Sequence, residues 1–121
     1  MKVLGLRFCT TTSEAKNCSD FFEALGITKR PNDDCQEDKK SNEFSGAIFP
    51  AGSSWIEIWQ ESESMKGGTM LQIVVDDADV FAKHAKDNGL APEGPIDAHG
   101  ERIYFIQAPN GLNISFQSEL N

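Results

Sequence analysis

The sequence predicts an α+β fold: two βαβββ modules forming a cupped, partly closed eight-stranded mixed sheet with helices on the outer face. Three observations predict it. An apolar strand, Leu4-Gly5-Leu6-Arg7-Phe8, leads to an amphipathic helix through Phe21-Phe22-Glu23-Ala24-Leu25 that stops at Gly26-Ile27. The same order recurs as Leu71-Gln72-Ile73-Val74-Val75, a helix through Phe81-Ala82-Lys83-His84-Ala85, and a stop at Gly89-Leu90. Each copy closes on a strand of alternating pattern, Trp55–Trp59 in one and Asn113–Gln117 in the other. Duplicated units of this kind can pair their sheets and enclose a pocket. The 121 residues are read as one domain over 1–121, with module one about 1–62 and module two about 69–121.

The elements follow in order. Strand one covers Val3 to Cys9, with Leu4, Leu6 and Phe8 on one face and Gly5, Arg7 and Cys9 on the other. Thr10 to Ser13 offer N-cap residues. The first helix should bury Ala15, Cys18, Phe21, Phe22 and Leu25, which lie near helical spacing, and Gly26 suits the left-handed position after its end. Residues 28–43 mix Pro31, Asn32, Asp33, Asp34 and several lysines and glutamates, so they read as a polar loop with at most a short edge strand. Phe44–Phe49 and Trp55–Trp59 form a hairpin about the turn at Pro50–Ser53. A polar linker spans Glu61–Gly68. The second copy opens at Thr69–Val75, and Asp76, Asp77 and Asp79 suit the positive end of its helix. Pro92, Gly94 and Pro95 confine any following strand to an edge. Arg102–Gln107 and Leu112–Gln117 are strands flanking the turn Pro109-Asn110-Gly111.

The net charge is −8, from 19 acidic and 11 basic residues. Without a basic stripe, such a chain is a poor nucleic-acid partner. The balance favours solubility, and it draws cationic ligands. Cys9, Cys18 and Cys35 show no CxxC spacing and read as reduced thiols of a cytoplasmic protein. The N-terminal stretch is broken by Arg7 and reads as a strand, not a signal peptide. No apolar run is long enough for a membrane helix, so no membrane partner is expected.

Several motifs resemble the vicinal oxygen chelate superfamily, which includes glyoxalase I, extradiol dioxygenases and bleomycin-resistance proteins. They are Asp20-Phe21-Phe22-Glu23-Ala24-Leu25-Gly26, Val75-Asp76-Asp77-Ala78-Asp79, and Gly100-Glu101-Arg102 followed by Ala108-Pro109-Asn110-Gly111-Leu112. They span nearly the whole chain in the family's order. The resemblance implies a glyoxalase/bleomycin-resistance-like domain and a homodimer. It also implies one divalent metal in the cup, held by His, Glu, His and Glu on four strands. Carried over by position, those places hold Gly5 (with Arg7 on the same face), Glu57, Met70 and Ser115. One carboxylate stands where about three N or O ligands are needed, so no metal and no cofactor are expected.

Alternation along a strand puts Trp55, Glu57 and Trp59 on one face and Ile56 and Ile58 on the other. The same parity groups Met70 and Gln72, and Asn113 with Ser115. Arg102 and Tyr104 share a face that the pattern leaves open. The expected ligand-binding set is therefore Arg7, Trp55, Glu57, Trp59, Met70, Gln72, Asn113 and Ser115. Indole faces stack on flat or cationic groups. The expected function is metal-independent binding of a small aromatic ligand, with positive charge favoured by the acidic chain. The alternative is a glyoxalase-like lyase or isomerase with Glu57 as the catalytic general base and Arg7 holding an oxyanion. Arg7 and Glu57 could also pair with each other as a structural ion pair. His84 reads as a surface residue and His99 as a loop residue near a strand mouth.

Overall fold

A computed structural model describes residues 1–30, 44–64 and 66–120. Among them the chain is α+β, with seven strands and two helices: β1 (Val3–Thr12), α1 (Ala15–Ala24), β2 (Gly46–Ala51), β3 (Ser54–Gln60), β4 (Gly68–Val75), α2 (Ala78–Asp87), β5 (Glu93–Ala98), β6 (Glu101–Gln107) and β7 (Asn113–Glu119). Pairing is mixed: β4 and β7 run parallel, while β2–β3, β5–β6 and β6–β7 are antiparallel. The expected eight strands are thus seven among the described residues. Of the polar loop expected over 28–43, residues 31–43, Cys35 among them, lie outside the described residues.

The chain divides into two compact units. One spans Phe8–Thr69 and holds both tryptophans; it is called the tryptophan unit. The other joins Met1–Arg7 to Met70–Asn121 and holds the single tyrosine; it is called the tyrosine unit.

In the tryptophan unit, β2 and β3 form a hairpin through Gly52, whose φ of 65° a turn glycine adopts without strain. Alternation sends Ala47, Phe49, Ile56 and Ile58 to the side of α1. There Ala15, Ala47, Phe49 and Ile58 make the core, with Cys18, Phe22, Ile27, Phe44 and Ile56 against it. The Phe22 and Phe49 rings meet at 5.7 Å. Two expectations for α1 fail: Phe21 and Leu25 are 58% and 61% exposed, and the second buried residue beside Ala15 is Ser19. A ten-residue helix buries only a narrow stripe, and here it runs through 15, 18, 19 and 22.

In the tyrosine unit, β5 lies at the sheet edge beside β6, as Pro95 requires. Hairpin β5–β6 turns through His99 and Gly100, both at positive φ (53° and 77°), so His99 is an exposed turn residue. His84 is exposed on α2. The core is Val75, Ala78, Ala82, Tyr104 and Phe116, with Ile73, Phe81 and Ile106 packed on it. This settles the open face: Tyr104 points to the helix side and stacks on Phe116, centroids 5.3 Å apart and planes 13° from parallel. Asp77 caps α2 through the N–H groups of Asp79 and Val80, and the buried Ser118 hydroxyl accepts from the N–H of Ala78. No described helix is long and apolar enough to cross a membrane.

Candidate functional site

The face of β3 opposite α1 carries Trp55, Glu57 and Trp59, all partly buried. The parity read from the sequence therefore holds along this strand. The two indoles close on the carboxylate between them. Trp55 Nε1–H donates to Glu57 Oε2 at 2.6 Å, and Trp59 Nε1–H donates to Oε1 at 2.9 Å. Each oxygen has a second lone-pair direction to offer. Both donors are neutral, so the carboxylate is fixed in place without its charge being cancelled.

Strand register explains how the clamp is built. Ile48 sits opposite Glu57 and is buried, giving the carboxylate an apolar floor. Gly46 sits opposite Trp59, and the ring lies directly over its backbone. A β-carbon at Gly46 would overlap the Trp59 ring and stand 2.8 Å from the Ile58 carbonyl oxygen. Glycine is needed here for the close approach of the Trp59 ring. Cys9 lies near enough to feel the carboxylate: burial, and then the Glu57 charge, push its thiol up to about 11. Cys9 is a protonated, unreactive thiol at neutral pH.

The other predicted residues lie in the tyrosine unit. Arg7 meets Glu101 in a two-pronged ion pair, Nη1 to Oε1 and Nη2 to Oε2, both 3.1 Å, with both side chains 15% exposed. The alternative of an Arg7–Glu57 ion pair gives way to this pair with Glu101. Gln117 Nε2 donates to Glu101 Oε1 at 3.3 Å, and Ser115 Oγ donates to Gln117 Oε1 at 2.7 Å. Ser115 and Gln117 are 1% and 2% exposed. Register places Met70 beside Asn113 and Gln72 beside Ser115. Glu101 is the member the sequence reading passed over. Its alternation with Ile103 and Phe105 puts it on the face opposite Arg102 and Tyr104, a parity that the sequence leaves open and the burial of Tyr104 fixes.

On the helix side of the same unit, Asp79 accepts from the Tyr104 hydroxyl at 2.6 Å and from Arg102 Nη1 at 2.9 Å. Arg102 also reaches Asp97. The Tyr104 contact, then Arg102, holds Asp79 below the usual carboxylate range, and the same contact with Asp79 pushes Tyr104 up to about 12. This group ties the start of α2 to β6.

The divalent metal that the resemblance implies does not suit these residues. Among the described residues, no three His, Cys, Asp or Glu side chains are grouped to hold a metal ion. At the corresponding places Arg7 is fixed to Glu101, Ser115 to Gln117, and Met70 offers a soft sulfur.

No family model and no curated protein sequence matches the chain. Solved structures do. A glyoxalase/bleomycin resistance protein/dioxygenase superfamily member from Vibrio splendidus 12B01 matches with a TM-score of 0.63 at 14% identity, over 94% of this chain and 97% of that one. Methylmalonyl-CoA epimerase from Mycobacterium tuberculosis matches at 0.64 and 18%, over 98% and 90%. A chain described as NAD-dependent benzaldehyde dehydrogenase from Legionella pneumophila matches at 0.65 and 11%, over 95% and 99%. Their names differ in chemistry while their backbones agree, so what is shared is the architecture: this chain has the vicinal oxygen chelate fold.

Proposed function

We propose that the chain is a metal-independent small-molecule binding protein, a sequestering or carrier protein, whose ligand is aromatic and positively charged. One observation carries this: the Glu57 carboxylate is gripped by two neutral indole N–H donors beside two aromatic faces. Such a group keeps its negative charge while its position is fixed in advance, which lowers the ordering cost of binding. Indole faces add attraction for a flat cation, about 0.5–2 kcal/mol each. The net charge of −8 raises the local concentration of such a ligand. A homodimer in the cytoplasm belongs to the same proposal.

The test is indole fluorescence titrated with N-methylquinolinium, neutral quinoline and quinoline-carboxylate. Saturable quenching by the cation above the other two, lost in Glu57→Gln, is the expected result. Equal quenching by all three would overturn the cationic ligand. Calorimetric titration with Zn²⁺, Ni²⁺, Mn²⁺ and Fe²⁺ checks the metal independence; stoichiometric uptake lost in Glu57→Ala would overturn it.

The lyase or isomerase reading keeps one support, the lone pair left on each Glu57 oxygen. It loses another, because Arg7, the expected oxyanion holder, already binds Glu101. Turnover of hemithioacetals abolished by Glu57→Gln would reinstate it.

A further inference from the structure

The Glu101 and Glu57 carboxylates differ in what bonds to them. Glu101 holds a fork: Arg7 Nη1 meets Oε1 and Nη2 meets Oε2, both at 3.1 Å. Parallel N–H donors on one planar cation match the two oxygens of one carboxylate, which is why guanidinium groups pair in this way. At Glu57 each oxygen also has a donor, but the donors come from two separate side chains, Trp55 on Oε2 and Trp59 on Oε1. An ionised carboxylate has about four lone-pair directions. The indoles take one on each oxygen, so one on each oxygen is left. Among the described residues no cationic side chain pairs with Glu57.

What remains at Glu57 suits a fork from outside the chain. The two open directions lie one on each oxygen of a single carboxylate, the spacing of two N–H groups on one amidinium or guanidinium carbon. An ammonium group is a point charge without parallel donors, and a quaternary ammonium has no N–H at all. The indoles keep the carboxylate from turning, so both oxygens are presented together. Ile48, opposite Glu57 in the β2–β3 register, is buried, and a charge pair strengthens where an apolar floor replaces water. Beside the carboxylate the Trp59 ring rests on Gly46 and stays partly exposed, a flat apolar surface next to the acceptors.

We propose that Glu57 takes an amidinium or guanidinium group joined directly to an aromatic ring, through two parallel N–H donors, one to each oxygen. This rests on the reading of Glu57 as a ligand-binding carboxylate and narrows its cation to a planar twofold donor on a free small molecule.

Calorimetric titration of the full chain with benzamidinium, benzylammonium, phenyltrimethylammonium and benzamide tests it. Benzamidinium should bind most tightly. Benzylammonium should be weaker by about tenfold and phenyltrimethylammonium by about a hundredfold, the scale of one and two charge-assisted hydrogen bonds. Benzamide keeps the shape without the charge and should not bind. The chain has two tryptophans, so two indole N–H signals in the nitrogen–proton spectrum locate the event, and benzamidinium should shift both. In Glu57→Gln one oxygen becomes an NH2 group that opposes an N–H donor, and the preference for benzamidinium over benzylammonium should vanish. Equal affinity of benzamidinium and either other cation overturns the fork and leaves the cationic reading of Glu57 standing. Equal affinity of benzamidinium and benzamide, or no binding by any cation, overturns both. Binding that leaves the indole signals in place, or a preference that survives Glu57→Gln, also overturns the fork. N-acetylarginine amide carries the fork without a ring and should bind more weakly than benzamidinium; equal binding would give the site to arginine side chains and overturn the aromatic ligand. The ligand series on the unaltered chain decides the matter even if Glu57→Gln fails to fold.

Discussion

The two units solve the same problem, a carboxylate withdrawn from water, in opposite ways. The tyrosine unit gives Glu101 a guanidinium, so two charges cancel in a pair that is 15% exposed on each side, with Gln117 and Ser115 completing the hydrogen bonds. The tryptophan unit gives Glu57 two indole N–H groups, which hold the anion and leave its charge standing. Cancelled charge is structure; retained charge is a binding group in waiting. Under the proposed function, Glu101 belongs to the fold and Glu57 to the ligand site.

The largest effect should come from breaking each arrangement in turn. Glu101→Ala removes the bidentate partner of a mostly buried Arg7, a change of about 3–5 kcal/mol when one half of a buried pair is lost. Glu57→Gln strands no cation. It turns one acceptor oxygen into an NH2 group that cannot accept from an indole, so about 1 kcal/mol is expected, the worth of one ordinary hydrogen bond. Urea midpoints with unchanged m-values measure both. Similar losses for the two variants would erase the distinction between a structural and a functional carboxylate.

Next in size is the glycine beneath the clamp. Gly46→Ala drives a methyl group into the Trp59 ring, and overpacking of this kind costs about 1–3 kcal/mol. Relief requires the indole to swing off the strand, which breaks its bond to Glu57. The variant should therefore shift indole emission and lose the affinity for N-methylquinolinium along with the stability. A variant that loses stability and keeps full quenching would show that Trp59 is not needed at the carboxylate.

The sequence made the strand faces legible because period two is strict: one side of β3 had to be Ile56 and Ile58, and the indoles had to take the other. The helix stops were equally legible, since a glycine followed by an aliphatic residue ends both helices, at 26 and at 89. Partners were not. Arg7 and Glu101 are 94 positions apart, and nothing local distinguishes Glu101 from Glu57 as the companion of Arg7. Nor could spacing say that Phe21 and Leu25 would stay exposed; a helical stripe can be drawn through 18, 21, 22 and 25 or through 15, 18, 19 and 22, and tertiary packing chose the second. The exposure of Leu90 is also invisible in the sequence, because Gly89-Leu90 repeats Gly26-Ile27 and only the packing differs.

That difference can be sharpened by shortening each residue. Ile27→Ala should cost about 1–2 kcal/mol, because its side chain is partly buried against Ala15, Ala47, Phe49 and Ile58. Leu90→Ala should stay within about 0.5 kcal/mol, as for an exposed position. A loss at Leu90 matching that at Ile27 would mean that Leu90 is buried in solution.

The smallest effect lies at the start of α2 and is confined to the tyrosine unit. Tyr104 is the one tyrosine in the chain, so phenolate absorbance reports on it alone. The hydrogen bond to Asp79, then burial, raise its folded-state pKa to about 12. An unfolded chain would give about 10. Because the folded value is the higher, this group's contribution to stability is complete below about pH 10 and disappears as pH rises through about 12. Asp79 behaves in the reverse sense: its folded pKa is depressed, so its contribution stands above about pH 4 and is lost as pH falls through the lowered value. Tyr104→Phe should flatten the alkaline limb and weaken the acid one, because the same hydrogen bond is the first cause of both shifts. Asp79→Asn should bring the phenolate midpoint back toward 10, the value of an ordinary tyrosine. A native midpoint already near 10 would show that the hydroxyl does not rest on Asp79 in solution, and would loosen the tie between α2 and β6.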